Sequence, residues 1–379
     1  MSLLGVHLTL LIGPTVPIPA PLPLTEALNE VKVTQSDSGR SGFEITFTAG
    51  RGGITGIVDY PLLSLPLLEP FNRVILLVTF GVIPQVLMDG VITRREVSPG
   101  NEPGQGRITI TGEDVSVMMD LHEKSQQYPA MDETLISDLI LVQYAQYGLI
   151  PEVIPPIALD LPLPVERIPV QQGTDLDYLN KMAARFGYVF YIIPGPLPGT
   201  NTAYWGPKVR PGVPQSAITI NMGAETNATI GAFQTNGLGP QTVGGLVQDR
   251  DTGVTVPVQT FASTEVPLSL MPVGLVNILN TRSSQFRESG VNVEEAFGRA
   301  QGTTDATAHA VSVDGELDAA TYGSILQPRG LVGLRGAGFL HDGLWYVKKV
   351  SHHIKIGTYT QSFTLTRDGH GSTVPAVIP

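Results

Sequence analysis

The chain has 379 residues, of which 42% are hydrophobic and 15% charged, a balance typical of packed globular proteins and unlike that of disordered chains. Its formal net charge of −11 argues against general electrostatic attraction to nucleic acid or anionic membranes, and the absence of cysteine excludes disulfides, thiolate metal sites and a cysteine nucleophile. The length exceeds that of a typical single core, so two or more domains are expected.

Two apolar stretches in the first quarter of the chain have the composition of membrane segments but not their pattern. Residues 3–24 lack a basic start and are interrupted by five prolines, unlike a signal peptide. Residues 74–88 are too short to cross a bilayer and contain Pro84. Both stretches are therefore expected to be buried, or covered by a partner, in a soluble protein without membrane contact.

The region 28–120 has the pattern of short β strands. Apolar residues alternate with polar ones over 43–48, the spacing of a half-buried strand, and 74–78 is a continuous apolar run. Further strands are predicted over 86–97 and 107–111. The 42 glycines and 31 prolines of the chain are scattered between such runs, which is typical of many short strands joined by turns.

Residues 121–198 combine helices with strands. Apolar residues at helical spacing, followed by a glycine, predict a helix over 132–147; its apolar positions are Leu135, Ile136, Leu139, Ile140 and Tyr147. A second helix is predicted over 174–186, because Thr174 and Asp177 are spaced almost as in a capping box. The inward face of this helix is predicted to consist of Leu176, Leu179, Ala183 and Phe186.

Strands and turns return over residues 199–290, and a third helix is predicted over 292–301. One face of this helix carries apolar or small residues, namely Val293, Ala296, Phe297 and Ala300. From 308 to 366 the pattern is again that of β strands. The expected fold class is therefore mainly β with α+β insertions.

An internal similarity is the most informative feature of the sequence. Residues 88–98 align without gaps on residues 341–351: each segment has Asp-Gly near its start, two bulky apolar residues after it, and Val-Ser at its end. The strand at 108–111 aligns on 363–366, with two extra residues in the second copy's loop. The pattern predicts matching hairpins at 86–111 and 339–366.

In this prediction the Asp-Gly pair supplies the tight turn that begins each copy, since glycine tolerates the positive φ that such turns require. The alternative is that any two hairpins rich in Val, Ile and Thr look alike. The gap-free match over eleven positions, with a matching strand after it, favours duplication.

One short motif points to catalysis. Asp251-Thr252-Gly253 matches the signature of aspartic proteases, in which two such carboxylates share a proton. The motif occurs once, however, and strand-like runs flank it, so a turn between two strands is the favoured interpretation.

The remaining chemical candidates also favour structural roles. His352 and His353 are adjacent, so on a strand they point to opposite faces and cannot easily bind one metal. The glycines at 333, 336 and 338 do not make a dinucleotide-binding fingerprint and are predicted to lie in a strand. The basic pairs at 94–95 and 348–349 fit solvated strand faces or subunit contacts. The sequence thus predicts no catalytic, cofactor-binding or metal-binding residue.

Residues 172–191 resemble a signature of the phage tail-hub family, often called late control protein D, which includes the hub part of type VI secretion spike proteins. The shared pattern is an acidic helix start, an aromatic-Leu pair, small residues, then Gly-aromatic and a strand. Further matches are Trp205-Gly206-Pro207, the Gly-Glu-Leu-Asp at 315–318, and the ending at 350–365. The resemblance covers most of the chain.

The resemblance implies two tail-tube-like β-barrels with peripheral domains. The first barrel is expected over residues 1–120 and an α+β domain over 121–198. A β-rich inserted region with the third helix is expected over 199–305. The second barrel is expected over 306–379, joined by strands from 199–240. The chain ends soon after the second barrel, so the resemblance implies a separate spike protein and puts lysozyme activity in doubt.

The implied function is that of a structural baseplate hub, not an enzyme: a homotrimer whose six barrels adapt a hexameric tail tube to a trimeric spike. The implied partners also include other baseplate proteins and a tape-measure protein, with DNA only as passing cargo. The implied location is the virion tail baseplate, or a contractile injection particle, assembled in the bacterial cytoplasm. Two alternatives stay open, a cell-envelope hydrolase acting through Asp251 and a carbohydrate-binding β-protein.

Overall fold

The computed structural model describes residues 5–37, 39–49, 62, 65–100, 105–156, 164–165, 168–208, 212–250 and 252–374. Strands dominate these residues, and helices are short and fewer. The expectation of a mainly β fold with α+β insertions is confirmed. No helix in the described ranges is long and apolar enough to span a membrane.

A first β unit occupies the N-terminal third of the chain. Its strands are β1 (Val6–Gly13), β2 (Ile18–Pro19), β3 (Leu28–Ser36), β4 (Gly42–Ala49), β5 (Arg73–Phe80), β6 (Ile83–Ser98) and β7 (Gly106–Asp114), with the short helix α1 (Leu22–Glu26) between β2 and β3. Along the sheet they follow the order β3-β4-β7-β6-β5-β1-β2, and every pair is antiparallel. Short 3₁₀ helices lie at Pro66–Leu68 and Val115–Met119.

An α+β unit follows. Its elements are β8 (Glu123–Gln127), α2 (Glu133–Val142), β9 (Leu149–Val153), β10 (Val170–Thr174), α3 (Asp175–Arg185), β11 (Tyr188–Pro194) and β12 (Asn201–Pro207), with a 3₁₀ turn at Ala145–Tyr147. Strands β11, β12 and β9 form a three-stranded sheet against which α2 and α3 pack, while β8 pairs with β10.

The next segment contributes strands to three sheets. Its elements are β13 (Gln215–Thr219), β14 (Ala228–Ile230), β15 (Gln234–Thr235), β16 (Gln241–Gln248), β17 (Thr255–Gln259), β18 (Ser269–Pro272), α4 (Val273–Val276), β19 (Arg282–Gln285) and α5 (Val293–Ala306), with 3₁₀ turns at Gly223–Glu225 and Ile278–Asn280. Strands β17, β16 and β19 make a small sheet covered by α5.

The C-terminal part completes a second β unit. Its elements are β20 (Val311–Asp318), α6 (Ala319–Tyr322), β21 (Leu331–Arg335), β22 (Gly343–Lys355), β23 (Thr358–Arg367) and β24 (Gly369–Ser372). Strands β14 and β15 both pair with β20, and the order continues as β23, β22 and β21. Strand β22 also pairs with β3, which joins both β units in one fourteen-stranded sheet.

The described residues form four hydrophobic cores: one for each β unit, one for the α+β unit, and one between α5 and the small sheet. The described pairings do not connect the two ends of the sheet of either unit. Neighbouring strands are antiparallel in both units, except that β13 pairs parallel to β21. Closure into two barrels stays a prediction, as do the boundaries of the four predicted domains.

The two β units repeat the same strand order. In both, a central strand pairs with a preceding strand on one side and a following strand on the other: β5-β6-β7 in the first and β21-β22-β23 in the second. Both central strands have a β-bulge facing the following strand, between Ile92 and Arg94 and between Val347 and Lys349. A shared bulge indicates a shared backbone path, because bulges fix strand bending and register.

A second backbone detail repeats with the bulge. Phe71 and Arg329 both adopt positive φ, 68° and 66°, which is uncommon for residues other than glycine. Phe71 N–H donates to the carbonyl of Ile92 at 2.8 Å, and Arg329 N–H donates to the carbonyl of Val347 at 2.7 Å. The structure thus supports the duplication, and it equates Ile92 with Val347, two residues away from the gap-free sequence alignment.

The turn predicted at Asp89-Gly90 is wrong. Both residues lie inside β6, and the turn between β5 and β6 falls instead at Gly81, whose φ is 66°. Asp89 is buried because Arg73 on β5 forms a bidentate ion pair with it, at 2.7 Å for both contacts. In the second unit Asp342 does lie at a turn, the one that precedes β22. Its carboxylate accepts from the Ala337 N–H there at 2.7 Å.

Helix α3 agrees with the sequence prediction. Thr174 is its N-cap, with Asp177 N–H donating to the Thr174 hydroxyl at 3.2 Å. The predicted inward face is buried, and the Phe186 ring packs against Tyr188 and Trp205, with ring centroids 6.1 and 6.4 Å away.

The other two helices depart from their predicted faces. In α2 the buried apolar residues are Ile136, Ile140 and Leu141, whereas Leu135 and Leu139 are exposed. The predicted helix also ends earlier, at Val142, and a 3₁₀ turn follows before Gly148 in the left-handed region.

Helix α5 extends beyond its prediction, to Ala306, and Phe297 is exposed. Periodicity places residues on a stripe, but the width of the partner surface decides how much of that stripe is covered. Gly336 and Gly338 lie beyond β21 in a turn at positive φ, and not in the strand as predicted.

Replacing Phe186 with alanine is expected to destabilise the protein by about 3–5 kcal/mol, because it leaves a cavity beside Trp205. Lys181→Ala on the same helix is the control: it removes an exposed pair with Asp177 and should cost about 0.5 kcal/mol or less. Urea unfolding of both variants checks the expectation. Equal effects would contradict the assigned inward face of α3.

The Asp89–Arg73 pair gives a sharper test. Asp89→Leu leaves the Arg73 guanidinium buried without its carboxylate, which typically costs about 3–5 kcal/mol. The double variant Arg73→Met with Asp89→Leu removes both charges and should recover most of that loss. A double variant no more stable than Asp89→Leu, measured by denaturant unfolding, would show that the pair is not the source of the effect.

Candidate assembly interface

The pairing of β22 with β3 is the junction between the two β units. Its ladder runs from Lys349 opposite Ser36 to Lys355 opposite Glu30, and Asp37 N–H extends it by donating to the Lys348 carbonyl at 2.9 Å. This antiparallel ladder shows how one unit of this shape docks on another. The β22–β3 pairing is called the junction below.

Buried side chains reinforce the junction on one face. His352 Nδ1 and the Tyr359 hydroxyl form a hydrogen bond of 2.9 Å. The Tyr359 ring stacks on Phe80 of the first unit, with 6.0 Å between ring centroids. Within the first unit, Gln35 on β3 donates from Nε2 to the Leu87 carbonyl on β6 at 2.9 Å, and the core of this unit includes Ile325 and Tyr359 of the second unit. Side chains of both units therefore share one core across the junction.

Arg329 ties three parts of the molecule together. Its guanidinium donates to the Ser36 carbonyl on β3 and lies 3.8 Å from the ring centroid of Tyr191 on β11. Burial lowers the pKa of Arg329, with Tyr191 and Asp114 acting in the opposite sense. A buried guanidinium needs several acceptors around it, so its position fixes β3, β11 and β22 relative to each other.

Arg73 has the same role between the first β unit and the α+β unit. Besides its pair with Asp89, it donates to the Tyr147 carbonyl at 2.9 Å and to the Gly199 carbonyl at 3.1 Å. Asn201 Nδ2 donates to Asp89 at 3.0 Å. Burial raises the pKa of Asp89, and Arg73 and Asn201 oppose that rise.

An exposed apolar surface follows β17. Residues 266–280 contain no charged side chain. Its exposed apolar residues are Val266, Leu270, Met271, Leu275, Val276, Ile278 and Leu279, and exposed Phe339 and Leu340 lie in the turn before β22. Large exposed apolar patches mark partner surfaces in soluble proteins, and depletion of charge is typical of interface centres.

Two apolar stretches in the first quarter of the chain, residues 3–24 and 60–71, each have both buried and exposed residues. In residues 3–24, β1 enters the core through Leu10 and Ile12, whereas Val16, Ile18 and Leu22 are exposed. In the stretch 60–71 only residues 62 and 65–71 are described; there Leu68 is buried and Phe71 exposed. Part of each stretch therefore belongs to the first core and part stays available for contacts.

The catalytic candidate Asp251 lies outside the described residues. Its neighbours behave as a turn: Asp249 accepts from the Thr252 N–H at 3.1 Å and hydroxyl at 2.6 Å, and Gly253 has a φ of 70°. The flanking strands β16 and β17 match the predicted strand–turn–strand arrangement.

A groove beside the exposed apolar surface contains titratable side chains. Phe261, Val266 and Leu275 line it, together with Glu265 and His309. His309 Nε2 lies 3.5 Å from Glu265 Oε2, and its Nδ1 lies 3.1 Å from the Thr366 hydroxyl. The Thr366 hydroxyl thus lies within hydrogen-bonding distance of Nδ1, and the Glu265 carboxylate lies beside Nε2.

The adjacent histidines point apart, as predicted. His352 is buried, and burial lowers its pKa to about 3, whereas His353 faces Glu30, with Nε2 2.6 Å from Oε1. No cluster of three or more metal-ligating side chains occurs within the described ranges.

Sequence reasoning missed Arg73, Asp89 and Arg329. Asp89 carried a usable signal, since it interrupts an otherwise apolar strand, and a charge at such a position calls for a partner. Arg329 lies in a loop without periodicity, and nothing local in the sequence distinguishes it.

No protein-family model matches the chain, and no curated protein matches it. Solved structures do. The tail protein from Neisseria meningitidis MC58 superposes over 96% of this chain and 97% of its own, with a TM-score of 0.63 and 10% identity. The 43 kDa tail protein of prophage MuSo2 from Shewanella oneidensis covers 96% of this chain and 99% of its own, with a TM-score of 0.61 and 12% identity.

A third similar structure is an Escherichia coli component of the type VI secretion system, described as similar to the bacteriophage T4 tail proteins gp27 and gp5. It matches 93% of this chain and 77% of its own, with a TM-score of 0.53 and 12% identity. At these identities the likenesses establish the fold: the chain is folded as phage tail and type VI secretion proteins are.

Burial of His352 makes stability depend on pH in a defined window. Its folded pKa, about 3, lies below the unfolded value of 6.5, so the unfolded chain binds the extra proton between these limits. Stability should fall as the pH drops from about 6.5 to about 3, by up to ~1.4 kcal/mol per pH unit from this one group.

The test compares the pH dependence of unfolding in two variants. His352→Gln should show a shallower loss of stability than the unmodified chain across that window. His122→Gln, at an exposed site, should leave the slope unchanged. Parallel slopes for all three proteins would contradict a buried neutral His352.

Proposed function

We propose that the chain is the central hub of a phage-like contractile tail, a homotrimer that joins a hexameric tail tube to a trimeric spike. The observation that carries the proposal is the duplicated β unit, with matching strand order, bulge and left-handed residue. Three chains with two such units each supply six similar docking units, as a hexameric ring requires. Closed cyclic assemblies are the common outcome of symmetric association.

The fold shared with tail and type VI secretion proteins over nearly the whole chain supports this proposal. The exposed, uncharged surface at 266–280 supports a role in contacts, because an isolated soluble protein seldom exposes so much apolar surface. We propose the spike protein, tube proteins and other baseplate proteins as partners, with a tape-measure protein and passing DNA in the channel.

We also propose that the role is structural and not enzymatic. In the groove, His309 is held between Glu265 and Thr366, and the carboxylate next to the Asp-Thr-Gly turn, Asp249, is occupied as an acceptor in that turn. The proposed location is the tail baseplate of a virion or of an injection particle, assembled in the bacterial cytoplasm.

Stoichiometry tests the proposal directly. Native mass spectrometry of the purified chain over a range of concentrations, and electron cryomicroscopy of intact tail tips, should give three chains per assembly. The ring should show six similar units on the tube side and threefold symmetry on the other. Six chains per tip, or a ring without a pseudo-sixfold face, would contradict the hub.

A further inference from the structure

Two strand edges are equivalent to the edges that pair at the junction, but among the described residues neither has a strand partner. In the second unit, the part of β22 beyond the bulge pairs with β23 on one side and β3 on the other. In the first unit, the equivalent part of β6, residues 94–98, pairs with β7 on one side. On its other side no strand pairs with it among the residues that the structure describes, because β5 reaches only to Val91.

The strand that fills the junction also has an equivalent. In the first unit β3 pairs with β4 on one side and with β22 on the other. In the second unit β14 and β15 take the place of β3, and both pair with β20, the counterpart of β4. Their outer edge has no strand partner within the described ranges. In the part of the chain that the structure describes, one junction is filled and both halves of a second one lack a strand partner.

Equivalent residues of the two units differ in burial, as expected if one edge is paired and the other is not. Counting from the shared bulge, Val97 corresponds to His352; Val97 is 36% exposed and His352 is 1% exposed. Phe71 corresponds to Arg329, and their exposures are 62% and 6%. The positions that the junction buries in the second unit are open to solvent in the first.

We propose that a second copy of this chain fills the open edge of β6, with β14 and β15 of one copy pairing antiparallel to residues 94–98 of the next. The contact is heterologous, so it closes into a ring only if each copy uses both halves. Exposed strand edges are templates for such pairing. The proposal rests on the hub assignment and names its subunit contact.

The register follows from the junction. Ser351 on β22 lies opposite Thr34 on β3, with their hydroxyl oxygens 3.2 Å apart. From the bulge, Ser351 corresponds to Glu96; through β4 and β20, Thr34 corresponds to Gln234. Glu96 of one copy should therefore face Gln234 of the next.

Disulfide trapping tests this contact cleanly, because the chain has no cysteine. The variant Glu96→Cys with Gln234→Cys should, on oxidation, give covalent dimers and trimers on a non-reducing denaturing gel, with the trimer as the largest product. Thr34→Cys with Ser351→Cys is the matched positive control, and should close a disulfide within one chain. Residues directly opposite each other on antiparallel strands approach as closely as a disulfide needs. Thr34 and Ser351 are such a pair, and the proposed register makes Glu96 and Gln234 another.

A register control separates specific pairing from chance collision. Glu96→Cys with Thr229→Cys places the second thiol further along the same outer edge, and should yield less than a tenth of the cross-linked product. Equal cross-linking by the two pairs would overturn the proposed register and with it the edge contact.

Native mass spectrometry of the same samples distinguishes failure of the contact from failure of the hub. Trimers without cross-links would overturn the edge pairing and leave the trimeric hub standing. Monomers at every concentration, without cross-links, would overturn both, and would indicate that the charged side chains of Arg94 and Glu96 protect the β6 edge from pairing. Cross-linked dimers alone would overturn the closed ring.

Discussion

The pairing of β22 with β3 is the constraint on which the molecule depends. It joins the two units in one continuous sheet, and it fixes their relative orientation through main-chain hydrogen bonds. Arg329 and His352 then make the ladder specific, because each is buried at the junction with partners in neighbouring strands. A shift in register would leave both polar groups buried without hydrogen-bond partners, which is costly in a core.

Divergence between the duplicated units follows from the same constraint. Shared backbone features survive: the bulge, and the left-handed residue that bonds to the strand next to it. The side chains at these positions differ, since Arg329 is buried and reaches across to β3, whereas its counterpart Phe71 is exposed. The two units thus share backbone geometry, whereas burial of the equivalent side chains is high only in the unit whose edge is paired within the chain.

The sequence predicted the elements whose signals are local. Helix α3 was predictable because its cap and its inward face are encoded within a few residues, and Thr174 caps it as expected. The Asp89-Gly90 turn was not, because its role depends on Arg73, which lies on another strand. The same holds for the register of the repeat, which the bulges determine and which letter-by-letter alignment cannot detect.

The interface was predictable only in part, for a physical reason. Apolar composition identifies surfaces that avoid water, and the stretch at 266–280 shows that in its lack of charge. A strand edge, however, associates through main-chain groups that every residue has, so its side chains are free to be charged, as Arg94 and Glu96 are. Such an edge is recognised only by comparing the strand pairings of the two units. Among the described residues, β22 pairs with β3 at the junction, whereas the equivalent edge of β6 has no strand partner.

In the trimeric ring that we propose, duplication reduces the number of unpaired strand edges that each free chain exposes. Of the six junctions in a trimeric ring of paired units, three form inside single chains, where covalent linkage makes the effective concentration high. These can bury groups such as His352, whose burial is costly unless the neighbour is always present. The three between chains must form from separate molecules, so their edges remain soluble until then, and charged residues at the β6 edge meet that need. The asymmetry between a buried junction and a charged edge is therefore what a duplicated, self-assembling unit requires.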